Sequence, residues 1–260
     1  TNTNVINIHS SSQGLGQKLS NLYPNEFSFF GIRFPSVEHF IAYVKATLGN
    51  IEGKSSNDGL RLDFIAKNAN YKKLDTNIVR GHRGKEFTPF AVLNGKDTGS
   101  FADNLLYSVI TQMLAQQPKL LHELQQTEGN FSHTRNGKEL TYGKVITSAV
   151  QAIQRKADTE LDLTKKLTTD EIADYLGNLG LYDELGDTID KYDPDKKYYI
   201  DEIFSLDTIL EAMYNTATGK EVSINLPVEK ESDSQISLGE MYKKNTPVTE
   251  QKQAKPTVPV

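Results

Sequence analysis

The chain predicts an α+β fold: a mainly helical domain with a small sheet, followed by a small helical appendage and an extended tail. Three observations carry this. Apolar residues recur at helical spacing through residues 101–115, 118–127 and 144–156. Short strand-like runs bounded by turn residues occupy residues 5–8 and 27–34. After a charged stretch, Thr168-Thr169-Asp170-Glu171 pairs a capping hydroxyl with an acid three residues on, the signature of a new helix.

Each element has its own signal. Val5, Ile6 and Ile8 alternate partly with Asn7 and His9, which predicts a first strand, and the Ser- and Gly-bearing residues 10–17 predict a loop. Residues 27–34 read as strand, with Gly31 marking a tight turn or bulge. Ser36 is placed to cap a helix running to about residue 48, and Pro35 separates it from the strand. Val37, Ile41, Val44 and Leu48 make its apolar stripe, widened by Phe40 and Thr47, while Glu38, Ala42 and Lys45 fall on an adjoining face.

Residues 50–58 read as loop, 59–68 as helix, and the glycine-rich residues 76–100 as irregular around a strand-like Phe90-Ala91-Val92-Leu93. Pro118 opens the helix after residue 115. Turns are expected at Gly129-Asn130 and Asn136-Gly137, on either side of Phe131-Ser132-His133. Three divisions follow: a domain over residues 1–157, a helical appendage over 158–214, and a low-complexity tail over 215–260. The appendage is too short for a large core of its own, so it is expected to dock on the first domain or on another chain.

Composition narrows the function classes. With 260 residues, 37% of them apolar and 24% charged, the chain has enough material for a core under a well-solvated surface. No apolar run reaches the length of a membrane span and no basic leader precedes an apolar core, so the expectation is a cytoplasmic protein without membrane association. The absence of cysteine removes disulfides, thiolate metal sites and thiol nucleophiles. His9, His39, His82, His122 and His133 lack metal-ligand spacing, so no metal is expected. Asp193-Pro194-Asp195 begins like a calcium loop, but Tyr198 and Phe204 stand where glycine and the terminal acid are needed. A net charge of −5 gives no general attraction to nucleic acid. Lys67, Lys72, Lys73, Arg80, His82, Arg83 and Lys85 form a local basic stretch that fits either a phosphate contact or a solvated loop.

The most informative residues are Leu19-Ser20-Asn21-Leu22-Tyr23-Pro24 and Gly31-Ile32-Arg33-Phe34-Pro35-Ser36-Val37-Glu38-His39-Phe40. They join a polar turn, a strand and a capped helix with a carboxylate in its first turn. A carboxylate there suits sugar chemistry, and it also suits the positive end of the helix dipole.

These two segments, with Lys45 on the following helix, resemble the NADAR family, also called YbiA-like, whose name refers to proposed links with NAD and ADP-ribose. A weaker match runs from Met113 to Thr127, and a third segment, Lys138-Glu139-Leu140-Thr141-Tyr142-Gly143, stands where the family has an acid and a tryptophan-glycine pair. Together these cover approximately residues 6–157. The resemblance implies a compact helical and small-sheet protein that hydrolyses N-glycosidic bonds. The implied substrates are ADP-ribose on guanine in nucleic acid, or phosphoribosylamino-pyrimidines. It implies Glu38 as catalytic carboxylate, Lys45 and Asn21 as substrate-positioning groups, and Tyr23 and Phe40 as an aromatic wall. Glu139 and Tyr142 would complete the pocket, and no cofactor is implied. The altered third segment and the C-terminal additions allow a second expectation: an inactive relative serving as a structural component of an assembly, conceivably a virus particle.

Overall fold

A computed structural model describes residues 4–51, 91–94, 100–155 and 161–223. The predicted helix over 59–68, the basic stretch over 67–85 and the tail beyond 223 lie outside the described residues. The fold is α+β, and among the described residues its strands form four two-stranded sheets rather than one small sheet.

The first strand, β1 (Val5–Asn7), pairs in parallel with β4 (Asn130–Ser132), so the chain closes on itself across most of the first domain. The Asn7 side chain extends that pairing: its carbonyl accepts from Thr134 N at 2.9 Å and its amide donates to Thr134 O at 3.0 Å. Between β1 and the next strand, residues expected to be loop form a short helix, α1 (Gly14–Lys18). Burial of Leu15 and Leu19 anchors it. Gly16 lets it approach β1: a Cβ there would lie 2.3 Å from the Asn7 carbonyl oxygen. Tertiary packing therefore overrides the poor helix propensity of its two glycines.

β2 (Phe27–Phe29) and β3 (Ile32–Phe34) form an antiparallel hairpin. Its turn residues, Phe30 and Gly31, have φ of 49° and 79°. Two left-handed residues match the right-handed twist of a tight hairpin, and Gly31 takes that geometry without a Cβ penalty. Phe30 takes it with its ring buried against Phe29 and Tyr175.

α2 (Val37–Ile51) follows. Ser36 caps it, its hydroxyl accepting from His39 N at 3.3 Å. Phe34, Phe40 and Tyr43 stack edge to face under the hairpin, with Phe29 against Phe40. Ala91–Leu93, expected to extend a strand, is a single 3₁₀ turn with Leu93 fully buried.

The central element is α3 (Phe101–Ala115), buried along most of its length. Gln112 within it and Gln116 at its C-terminal cap tie neighbouring segments to it. Gln116, just past its end, accepts from Ser28 N at 2.7 Å and donates to Ser28 O at 2.8 Å, acting as a pairing strand for the outer edge of β2. Gln112 accepts from Leu163 N at 3.0 Å and donates to Leu161 O. α4 (Pro118–Gln125) begins with the expected proline, and the hairpin of β5 (Thr134–Arg135) and β6 (Lys138–Glu139) turns at Asn136 and Gly137. α5 (Gly143–Arg155) packs Ile146, Ala149, Val150 and Ile153 into the core.

β7 (Leu167–Thr168) pairs with β8 (Lys197–Tyr198) and leads into α6 (Thr169–Leu179). The capping box is complete: Glu171 N donates to Thr168 Oγ1 at 3.2 Å, and Thr168 N donates to Glu171 Oε1 at 3.0 Å. α7 (Tyr182–Ile189), α8 (Ile200–Ile203) and α9 (Leu206–Thr218) complete the chain. This last helix runs past residue 214 to Thr218 and is ended by a left-handed Gly219, and Asn215 holds Val222 in both directions. Ile172, Leu176, Ile209 and Leu210 belong to one hydrophobic core with Phe29, Phe40 and Leu105, so the C-terminal helices pack on the first 155 residues.

Candidate functional site

The loop carrying Asn21 and Tyr23 is built on α1. Asn25 donates to Lys18 O at 2.6 Å, and Tyr23 N donates to Ser20 O at 2.9 Å, folding residues 20–25 back on the helix. From this loop, the Asn21 carbonyl accepts from Glu38 N at 2.9 Å. That bond occupies one of the amides that α2 leaves without an intrahelical partner in its first turn. It also joins the two segments that the sequence singled out.

Glu38 is half-buried in this first turn, at the positive end of the helix dipole. Beside it, His39 turns inward: it is 2% exposed, and its Nδ1 lies 2.6 Å from Ser36 Oγ. That contact and the cap bond from its own backbone make His39 part of the frame beneath Glu38. The other aromatic assigned to the pocket, Phe40, is fully buried between Phe29 and Phe34. It is a core ring rather than an open wall, because the apolar stripe it was expected to widen is the face packed against the hairpin.

Tyr23 is half-buried near Lys18, whose ammonium pairs with Glu123 at 2.8 Å. That hydrogen bond, then the Glu123 charge, raises the lysine pKa. Lys45 lies in α2, and its side chain is outside the described residues.

The third segment runs from the β5–β6 hairpin into the start of α5. Glu139 is exposed on β6, paired in register with Thr134, and its Cγ lies 2.8 Å from where a Gly143 Cβ would stand. A side chain at Gly143 would therefore have to displace the exposed Glu139 side chain folded over the start of α5. Tyr142 has φ of 60° and packs partly buried against the core. Burial raises its phenol pKa, and the negative charge of Asp103, in the first turn of α3, raises it further. Asp103 is the acid acting on Tyr142, a residue the sequence reading did not single out.

A concave feature lies between α3 and α6. It has a volume of about 660 Å³, and its walls include Asn104, Tyr107, Thr111, Asp174, Tyr175 and Asn178. Glu38 is not among its lining residues. The polar residues fall at 104, 107 and 111 on one helix and 171, 174 and 178 on the other, a helical spacing that was legible but masked by the stronger apolar stripes.

Compared with protein-family models, with curated proteins and with solved structures, the chain matches none. Among the described residues, no cluster of acids and histidines is arranged to hold a metal ion, and no helix is long and apolar enough to cross a membrane.

Proposed function

We propose that the protein is an N-glycosidase-like hydrolase acting on a ribosyl-base linkage, such as that of ADP-ribosylated guanine or a phosphoribosylamino-pyrimidine. The observation supporting this reading is the bond from Glu38 N to the Asn21 carbonyl, which fixes the carboxylate-bearing turn against the serine-asparagine loop. As the carbon-nitrogen bond lengthens, positive charge develops at the anomeric carbon. A carboxylate held in a rigid helical turn stabilises that charge and takes a proton from the attacking water. The water oxygen becomes the new anomeric hydroxyl, and the base departs with the bonding pair. Because His39 faces the core, the proton for the leaving base comes from solvent or from a group other than His39. Lys45 and Tyr23 are assigned to the ribosyl or phosphate part of the substrate, and no cofactor enters the reaction. The proposed setting is cytoplasmic.

The test is direct. The full chain is incubated with a guanine-ADP-ribosylated oligonucleotide and with an aminopyrimidine ribotide, and released base is followed by mass spectrometry. Release is expected from one of them, and Glu38→Gln is expected to slow it by about 10²–10⁴-fold. Failure to release base from either by the folded protein overturns the reading.

One observation favours a second reading, a catalytically inactive component of a macromolecular assembly, including a virion. Tyr142, which stands where the third segment departs from the expected tryptophan-glycine pair, packs partly buried against the core. A defined oligomer or particle in the native mass, together with absent turnover, distinguishes this reading from the first.

A further inference from the structure

We propose that the groove between α3 and α6 binds a neutral polyhydroxylated ligand, a mono- or disaccharide unit. Its volume of about 660 Å³ falls within the roughly 300–1,000 Å³ of small-molecule sites. The walls are fixed by polar bonds across the helices and their flanking loop. Asn104 donates to Leu179 O at 3.3 Å, Ser108 meets the Tyr175 hydroxyl, and Gln112 holds the backbone of Leu161 and Leu163. A site held this way loses little freedom when a ligand enters.

The groups facing the groove decide the ligand class. The side chains of Tyr107, Asp174 and Asn178 make no hydrogen bond or ion pair with another described residue. They present a hydroxyl, a carboxylate and an amide, which together donate to and accept from vicinal hydroxyls. The Tyr107 ring with Leu161 supplies an apolar surface for the carbon-hydrogen face of a sugar ring. No lysine, arginine or histidine is among the described lining residues, and two carboxylates are, which disfavours phosphorylated ligands. Glu171 is already engaged in the capping box, leaving Asp174 as the one lining carboxylate without such a partner, so the site is not built for a multiply charged cation either.

The experiment is a titration of the full chain by amide NMR with maltose, N-acetylglucosamine, spermidine and ADP-ribose. Saturable shifts confined to residues of α3 and α6 are expected with a saccharide. Asp174→Ala and Asn178→Ala are each expected to weaken binding about tenfold, and Tyr107→Phe to weaken it less. Asp174 and Asn178 are exposed, so these variants retain the fold, which circular dichroism verifies. The proposal is overturned if neither saccharide titrates the groove, if spermidine or ADP-ribose occupies it more tightly, or if all three variants bind like the parent. Base release by Glu38 is scored separately and does not bear on this outcome.

Discussion

The Tyr43 hydroxyl donates to Asp207 Oδ1 at 2.9 Å, joining a fully buried ring in α2 to the first turn of α9. Hydrogen bonds to charged groups contribute about 1.5–3 kcal/mol, and Asp207 is half-buried, which moderates the value. Tyr43→Phe keeps the ring and removes the donor. It is expected to lower the unfolding free energy by about 1–2 kcal/mol in urea titrations, with an unchanged m-value.

The same relationship predicts the outcome of truncation. α6 and α9 contribute Ile172, Leu176, Leu179, Ile209, Leu210 and Met213 to the core that also holds Phe40 and Leu105. A chain ending at residue 157 would leave the apolar faces of α2 and α3 in water. Such a chain is expected to lose cooperative thermal unfolding and to bind a hydrophobic dye, whereas a chain ending at residue 223 melts cooperatively. Cooperative unfolding of the shorter chain would show that the first 157 residues are self-sufficient.

Gly16→Ala addresses the contact between α1 and β1. The added Cβ would meet the Asn7 carbonyl oxygen at 2.3 Å, and the obstacle is backbone, which cannot rotate aside. Overpacking of this kind costs about 1–3 kcal/mol, more than the helix-propensity gain of about 1 kcal/mol from replacing glycine. A net loss of stability is expected by denaturant titration. A neutral or stabilised variant would mean that α1 can shift away from β1.

Removing the Gln116 amide tests the side chain that pairs with the edge of β2. Gln116→Ala leaves Ser28 N and Ser28 O without the partners they now have at 2.7 and 2.8 Å. Ser28 is only partly buried, so water replaces some of the loss. A cost of about 1–3 kcal/mol is expected, with faster amide exchange at Ser28 than in the parent.

The sequence made the local rules legible. Pro118 at the start of α4, the Asn136-Gly137 turn and the Thr168–Glu171 capping box each rest on one or two residues acting on their own backbone. What it concealed depends on distant partners. α1 forms because Gly16 can abut Asn7, and residues 91–93 turn rather than extend because Leu93 enters the core. At the candidate site, the order of the segments made it natural to place Asn21 beside Glu38, and the bond between them is a backbone one. Phe40 was legible as part of an apolar stripe, while its complete enclosure depends on the hairpin folding over that stripe. Asp103 carried no recognisable motif; its connection to Tyr142 exists only once α3 and the turn before α5 are packed.

Tyr142 gives the structure a pH signature. Burial, and then the Asp103 charge, disfavour the phenolate, so the folded pKa lies above the unfolded value of about 10. The folded state therefore holds this proton more tightly. Its contribution to stability is fully present below the unfolded pKa and is lost as pH rises through the folded one. Unfolding free energy is expected to decline from about pH 10 upward, with Tyr142→Phe showing a shallower decline than the parent. Absorbance titration at the phenolate band checks the assignment independently, because the variant should lack one late-ionising tyrosine. Asp103→Asn separates the two causes: it removes the charge while leaving the burial, so the Tyr142 titration is expected to move down without returning to the ordinary phenol value. A titration unchanged by Asp103→Asn would assign the whole shift to burial.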